Sequence, residues 1–332
     1  MQRLSSKNLP DWFLTGMALA ILLAAVWPAP GAEGGILHPE VLTKAGIALV
    51  FFLNGAGLSF VALKDGVMRW RLHLIIQAAT FLLFPAIGAI FLLLAGRWIA
   101  PDLRIGLFYL CALPSTISSS VAMTSAARGN VPVAVFNASI SSIIGIFITP
   151  LWMSLLLNTS GQHLDIVHTV LDLMTWLLLP LIIGQLLRRW IGPWITRHKT
   201  LTHFADRGTI LILVYTSFCD SFAKHIWTGT GVATLALVMA ATLGLFFLVL
   251  SLLWSLCDRF KIAPAFRSAV VFCGTKKGLA AGVPMAHILF AGNPGLGLIL
   301  LPIMIYHPLQ LLICTPLANR WAKESEQQQA DY

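Results

Sequence analysis

The sequence predicts an all-α polytopic membrane protein with ten transmembrane helices in two inverted five-helix repeats. Three observations carry that expectation. Apolar runs of about 20 residues recur along the chain, each long enough as a helix to cross about 30 Å of hydrocarbon. Lysine and arginine collect on alternate connections between the runs, and the fourth and ninth runs are interrupted by polar residues at one internal offset. Of 332 residues, 58% are hydrophobic and 11% charged, whereas a soluble domain carries about 25% charge.

Taken in order, the first span, about 11–28, is the run Trp12 to Trp27 behind Arg3 and Lys7. It ends in Trp27-Pro28-Ala29-Pro30 rather than a small-residue cleavage site, so it reads as a retained span and not a removed signal. The second, about 41–61, stops before Lys64, and the third, about 72–95, lies between Arg71 and Arg97. The fourth, about 104–128, is bracketed by Arg104 and Arg128, and Gly129-Asn130 turns the chain into the fifth, about 131–157. The sixth, about 166–189, ends at Arg188-Arg189, and the seventh, about 205–223, ends before Lys224. The eighth, ninth and tenth fall at about 230–256, 265–290 and 294–318.

Counted by connection, one side of the membrane collects sixteen Lys and Arg and the other four, Lys44, Arg97, Arg104 and Lys224. The positive-inside rule then puts both termini in the cytoplasm of a multi-pass protein of the cell inner membrane. The same rule accounts for the net charge of +9 without nucleic acid as a partner. The five cysteines form no C-x-x-C pair, so neither a metal nor a cofactor is expected. The spans hold no H-E-x-x-H, G-x-S-x-G or paired aspartates, and an enzyme is not expected.

An offset of 162 residues aligns Gly46 with Gly208, Cys111 with Cys273, Val121 with Val283 and Met123 with Met285, and superposes span four on span nine. Residues 1–160 and 161–322 are therefore expected as two repeats of five spans each, with 323–332 a solvated, disordered cytoplasmic tail. An odd number of spans per half turns the second half upside down relative to the first.

Span four carries Pro114-Ser115-Thr116-Ile117-Ser118-Ser119-Ser120 in its middle. Proline removes a backbone donor, and the hydroxyls can bond the groups it releases. Span nine carries Gly274-Thr275-Lys276-Lys277-Gly278, followed by Pro284. One lysine at the centre of a spanning helix costs about 2.5–3.5 kcal/mol, so two require water, a counter-charge or helix ends nearby; the alternative is that both snorkel to the cytoplasmic face. Pro114, Gly274, Gly278 and Pro284 are the expected helix breaks. Irregular backbone at membrane depth must be buried in protein or line a cavity, so the two breaks are expected to meet at one cavity. The expected substrate or ion site there comprises Ser118, Ser119, Ser120, Thr124, Thr275, Lys276 and Lys277, with Asn137 and Ser141, one turn apart on span five, facing span four.

Several stretches resemble one family. They are Phe51-Phe52-Leu53-Asn54-Gly55, Phe84-Pro85, Tyr109-Leu110-Cys111-Ala112-Leu113-Pro114-Ser115-Thr116, Ala127-Arg128-Gly129-Asn130-Val131, Phe272-Cys273-Gly274-Thr275-Lys276-Lys277-Gly278-Leu279-Ala280 and Gly282-Val283-Pro284-Met285-Ala286. The chain is similar across nearly its whole length to the SBF-like branch of the bile acid:sodium symporter family, the branch that contains the seventh member of the human solute carrier 10 group. The resemblance implies a core domain moving against a panel domain, with discontinuous helices four and nine crossing. It puts Ser119 and Ser120 where better-known members hold sodium with a short polar pair. It also puts Cys273 and Lys277 where those members carry an acid followed four residues later by glutamine. Two ammonium groups oppose sodium there, at about 4 kcal/mol per unit repulsion at 4 Å and an effective dielectric of 20.

The function expected is secondary active transport of a small organic anion by alternating access, without the usual sodium sites. Two alternatives stay open: a sodium-coupled, bile-acid-like organic anion symporter, and a non-transporting regulatory or scaffold protein. The partners expected are a small-molecule or ion substrate and the lipid bilayer.

Overall fold

The computed structural model describes residues 12–57, 69–159, 165–226 and 231–330, and among them the chain is helical with no strand. The elements are α1 (Trp12–Val26), α2 (Pro39–Gly57), α3 (Trp70–Ala95), α4 (Pro101–Ala112), α5 (Ser118–Ala126) and α6 (Val131–Thr159). They continue as α7 (Ile166–Arg197), α8 (Lys199–Ala223), α9 (Val232–Arg259), α10 (Pro264–Thr275), α11 (Leu279–Leu289) and α12 (Leu296–Ala330). Arg3, Lys7, Lys64, the end of the second expected span and the 160/161 repeat boundary lie outside the described residues.

By length and composition, six described helices can cross a bilayer: α2, α3, α6, α7, α9 and α12. The helix α1 is apolar but shorter. In α8, Lys199, Asp206, Arg207 and Asp220 dilute the apolar character. Spans four and nine each arrive as two short helices, α4 with α5 and α10 with α11.

Two connections differ from expectation. The stretch after Arg189 continues the helix to Arg197, so only His198 separates α7 from α8. The tail expected to be disordered is helical as far as Ala330. Glu, Gln, Lys and Ala are strong helix formers, and Arg320 pairs with Glu324 one turn on, so the helix has no reason to stop.

Proline shapes two of the long helices. A π turn at Ala79–Leu83 in α3 and another at Met174–Leu178 in α7 each end just ahead of a proline, Pro85 and Pro180. A proline inside a helix has no N–H and crowds the carbonyl four residues back, and one extra residue in the turn relieves the clash.

The helix α1 packs on α8, and α2 packs along α7. The last pair approaches closely because each presents a glycine to the other's backbone. A Cβ at Gly55 would strike the Leu181 carbonyl, and one at Gly184 the Phe52 carbonyl. Small residues are how spanning helices come together without a hydrophobic driving force. The remaining helices surround the two interrupted spans: α4 lies along α12, and α10 is enclosed by α3, α5, α6 and α9. The end of α4 and all of α10 from Ser268 are buried at the centre of the main core.

Candidate functional site

A helix end leaves its last four carbonyls without partners, and inside a membrane each must find a donor other than water. The chain turns extended at Leu113 (ψ 150°) after α4 and at Lys276 (ψ 144°) after α10. The two breaks meet: the Gly278 N–H donates to the Pro114 carbonyl at 2.9 Å. Their orphan groups are then satisfied crosswise.

From the first break, the Ser115 hydroxyl donates to the Cys273 carbonyl (2.7 Å) and the Ser120 hydroxyl to that of Phe272 (3.2 Å). From the second, the Lys277 ammonium donates to the carbonyls of Cys111 (2.7 Å), Leu113 (2.7 Å) and Thr80 (2.9 Å), and lies 4.1 Å from the centre of the Phe84 ring. Neighbouring helices fill the remaining positions. Thr149 of α6 donates to Ala112, and Tyr306 of α12 to Thr275. The Ser141 hydroxyl accepts from the Ser115 N–H, while the Gln310 amide accepts from the Lys277 N–H and donates to the Lys277 carbonyl.

Thr80 is available for a reason visible in the sequence. In the π turn the Phe84 N–H bonds to Ala79, so it does not claim Thr80, and the next residue is Pro85, which has no N–H to offer. A free carbonyl is thus held at mid-helix, pointing at the ammonium.

Lys276 and Lys277 are both 0% exposed, so neither snorkels to a membrane surface. An ammonium without a carboxylate is held by dipoles: the C-terminal end of α4 is the negative end of its helix, and the aromatic face adds a further negative contribution. Lys276 has thinner support, donating to the Ser119 carbonyl at 2.9 Å and lying 5.5 Å from the Phe272 ring.

Of the expected site residues, Ser120, Ser141, Lys276 and Lys277 are brought to the crossing, and Ser119 contributes its carbonyl. Thr124 and Thr275 instead bond within their own helices, to Ser120 and Val271. Ser118 is exposed. Asn137 faces α3 rather than span four, bonding Gln77 and His73. Of the expected breaks, Pro114 and Gly278 lie in the unwound segments, but Gly274 and Pro284 are helical, inside α10 and α11. Ser115, Thr80 and Gln310 complete the arrangement although the expected set lacks them; the signal for Thr80 was the Phe84-Pro85 pair.

At the crossing Pro114, Ser115, Thr275, Lys276 and Lys277 are all buried, while Ser119 is half-buried and Ser118 exposed. A cavity of about 390 Å³ opens between α2, α7 and α8 on one side and the α11–α12 turn on the other. Lys44, Asp172, Trp176, Asp220, His287 and Asn293 are among its lining residues. At its rim Glu33 pairs with Lys224 at 3.0 Å, which raises the Lys224 ammonium above its ordinary value of 10.5.

Residues 11–323 match the model of the SBF-like CPA transporter family. The chain is 40% identical to "Uncharacterized protein PA2026" of Pseudomonas aeruginosa over 320 residues, 96% of this chain and 95% of that one. It is 40% identical to "Putative symporter YfeH" of Escherichia coli (strain K12) over 320 residues with the same coverage. It is 34% identical to "Sodium/bile acid cotransporter 7" of Mus musculus over 325 residues, again 96% and 95% of the two chains. The chain belongs to the SBF-like CPA transporter family, a family of membrane transporters and not of enzymes.

Proposed function

We propose that this protein is a secondary transporter that moves a small organic solute by alternating access without sodium, the Lys277 ammonium standing where a coupling cation would sit. The observation that carries the reading is the set of three backbone carbonyls at 2.7–2.9 Å around Lys277 Nζ, with the Phe84 ring on another side. Several convergent carbonyl oxygens make a donor set that suits a monovalent cation. Here they are filled by the protein's own charge.

Ten crossings follow when α1, α8 and the two broken pairs are added to the six long helices. The packing supports inverted halves of 1–160 and 161–322, because exchanging spans one with six and two with seven turns the α1 contact with α8 into the α7 contact with α2. The exchange also relates the crosswise bonds. Adding 162 to Ser115 and Cys273's partner Cys111 gives Lys277 and Cys273, so Ser115→Cys273 and Lys277→Cys111 are one interaction seen twice. The cavity between α2, α7, α8 and the α11–α12 turn supports a solute path open on the Lys44 and Lys224 side, the side opposite the proposed cytoplasmic termini. A small organic anion remains the solute class proposed; Lys276 and Ser120 are fully buried in this conformation, so on this reading the solute reaches them and Ser119 only once the crossing opens during the alternating-access cycle.

The name of the mouse relative motivates a second reading, sodium-coupled uptake. Solute uptake into proteoliposomes, with sodium replaced by choline, separates the two. Uptake that survives the replacement supports the lysine reading. Uptake lost without sodium overturns it in favour of symport, and no uptake of any organic anion in either medium leaves the non-transporting scaffold as the better description.

A further inference from the structure

The charged residues on the side proposed as cytoplasmic are not equivalent. Arg267 pairs with Asp258 and Arg320 with Glu324. Arg188, Arg189, Arg197 and Lys199 make no ion pair among the described residues, and they differ from other unpaired cations of that side, such as Lys261 beside Asp258 and Lys323 beside Glu324, in that the sequence holds no acidic residue between Asp172 and Asp206. Arg197 and Lys199 flank the elbow where α7 turns into α8 about the single residue His198, and Arg188 and Arg189 lie between two and three turns earlier on α7.

The elbow also lies at a defined depth. The helix α7 has 32 residues, or about 48 Å at 1.5 Å per residue, and so outreaches the roughly 30 Å hydrocarbon layer. Along its exposed face the side chains run Leu179, Ile183, Leu186, then Trp190 and Trp194, then Arg197. Leu186 and Trp190 are each 70% exposed. The order aliphatic, tryptophan, cation follows the order hydrocarbon, interface, headgroup across one leaflet. On α8, Leu201 and Phe204 are exposed beside Lys199.

We propose that this elbow is a docking surface for the phosphodiester headgroups of anionic phospholipids, with Arg197 and Lys199 as headgroup contacts and Trp190 and Trp194 buried at the acyl boundary. The charge argument selects the occupant. A surface with several unpartnered cations and exposed tryptophans on one helix face matches a lipid that joins a negative phosphate to an apolar chain. A soluble anion would leave the tryptophans unused. The interaction anchors the α2–α7 and α1–α8 helices to one leaflet, and it holds whether or not the transport reading is right.

The test uses the full chain in nanodiscs of phosphatidylcholine with a fraction of phosphatidylglycerol, with retained lipid counted by native mass spectrometry. Wild type is compared with Arg197→Gln/Lys199→Gln and, as a control for general surface charge, Arg320→Gln/Lys323→Gln. The elbow variant is expected to retain less phosphatidylglycerol by about fivefold per cation removed, and the control to match wild type. Equal retention by the elbow variant, or an equal loss in the control, overturns the proposal. Melting in phosphatidylcholine alone checks the fold. Should the double variant melt lower there, Lys199→Gln by itself, on an exposed turn, decides between the same two outcomes at one fivefold step.

Discussion

The two breaks correspond at a sequence offset of 162 residues and are built from opposite chemistry. In the first, Pro114 ends the helix and the polar residues that follow are hydroxyls; in the second, no proline stands at the break and the polar residues are lysines. Yet Ser115 and Lys277, which correspond at the offset of 162, reach to corresponding carbonyls, Cys273 and Cys111. The difference lies in how much each donor can satisfy. A hydroxyl has one proton to give, whereas an ammonium has three, and Lys277 uses them on Cys111, Leu113 and Thr80. Two breaks that reach corresponding carbonyls can thus differ in electrostatics, with the lysine break carrying most of it.

The sharpest test of that asymmetry is Lys277→Met. It keeps the side-chain length but leaves three buried carbonyls without a donor, so thermal unfolding in detergent is expected to fall by about 3 kcal/mol or more. A variant as stable as wild type would mean that burying the charge cancels all three bonds, and the asymmetry would carry no energy. Lys277→Gln sharpens the same point differently. With the ammonium gone, added sodium is expected to raise its melting temperature but not that of wild type; equal responses would remove the argument that Lys277 occupies a cation position.

Lys276→Met is expected to lose about 1–2 kcal/mol in the same melts, because among the described residues the Ser119 carbonyl and the Phe272 ring hold that ammonium. If it matched Lys277→Met, the two lysines would act as one unit. Ser115→Ala should fall near the value of about 0.6–1.7 kcal/mol typical of hydrogen bonds between spanning helices. Ser120→Ala, with the longer bond of 3.2 Å, should fall below it. The smallest effect belongs outside the breaks. Lys224→Ala removes an exposed pair with Glu33 that salt screens, and its melting at neutral pH should lie within replicate scatter. Because the Lys224 value is raised, whatever the pair contributes is fully present below 10.5 and fades only as pH rises through the raised value.

Much of this was legible without coordinates, for identifiable reasons. Helix-length apolar runs, the prolines and the two lysines are local facts, and each has few physical outcomes inside a membrane. The offset that pairs Cys111 with Cys273 needed only the chain itself, as did the resemblance carried by the stretches around both breaks. The continuation of α7 to Arg197 is not marked in the apolar pattern, because arginine ends the apolar character and not the helix.

What the sequence alone determined, then, is that two polar interruptions must be shielded from lipid, since unpaired backbone groups and buried charges are too expensive to leave there. Which partners do the shielding was decided by tertiary packing. Ser115 and not Ser118 points inward, and Asn137 turns to α3 while Ser141, one helical turn on, reaches the break. Thr80, nearly 200 residues before Lys277, supplies its third carbonyl. Hydrogen bonds of a few ångströms between distant segments depend on helix rotation and crossing, and neither is encoded in the spacing of residues along any one helix.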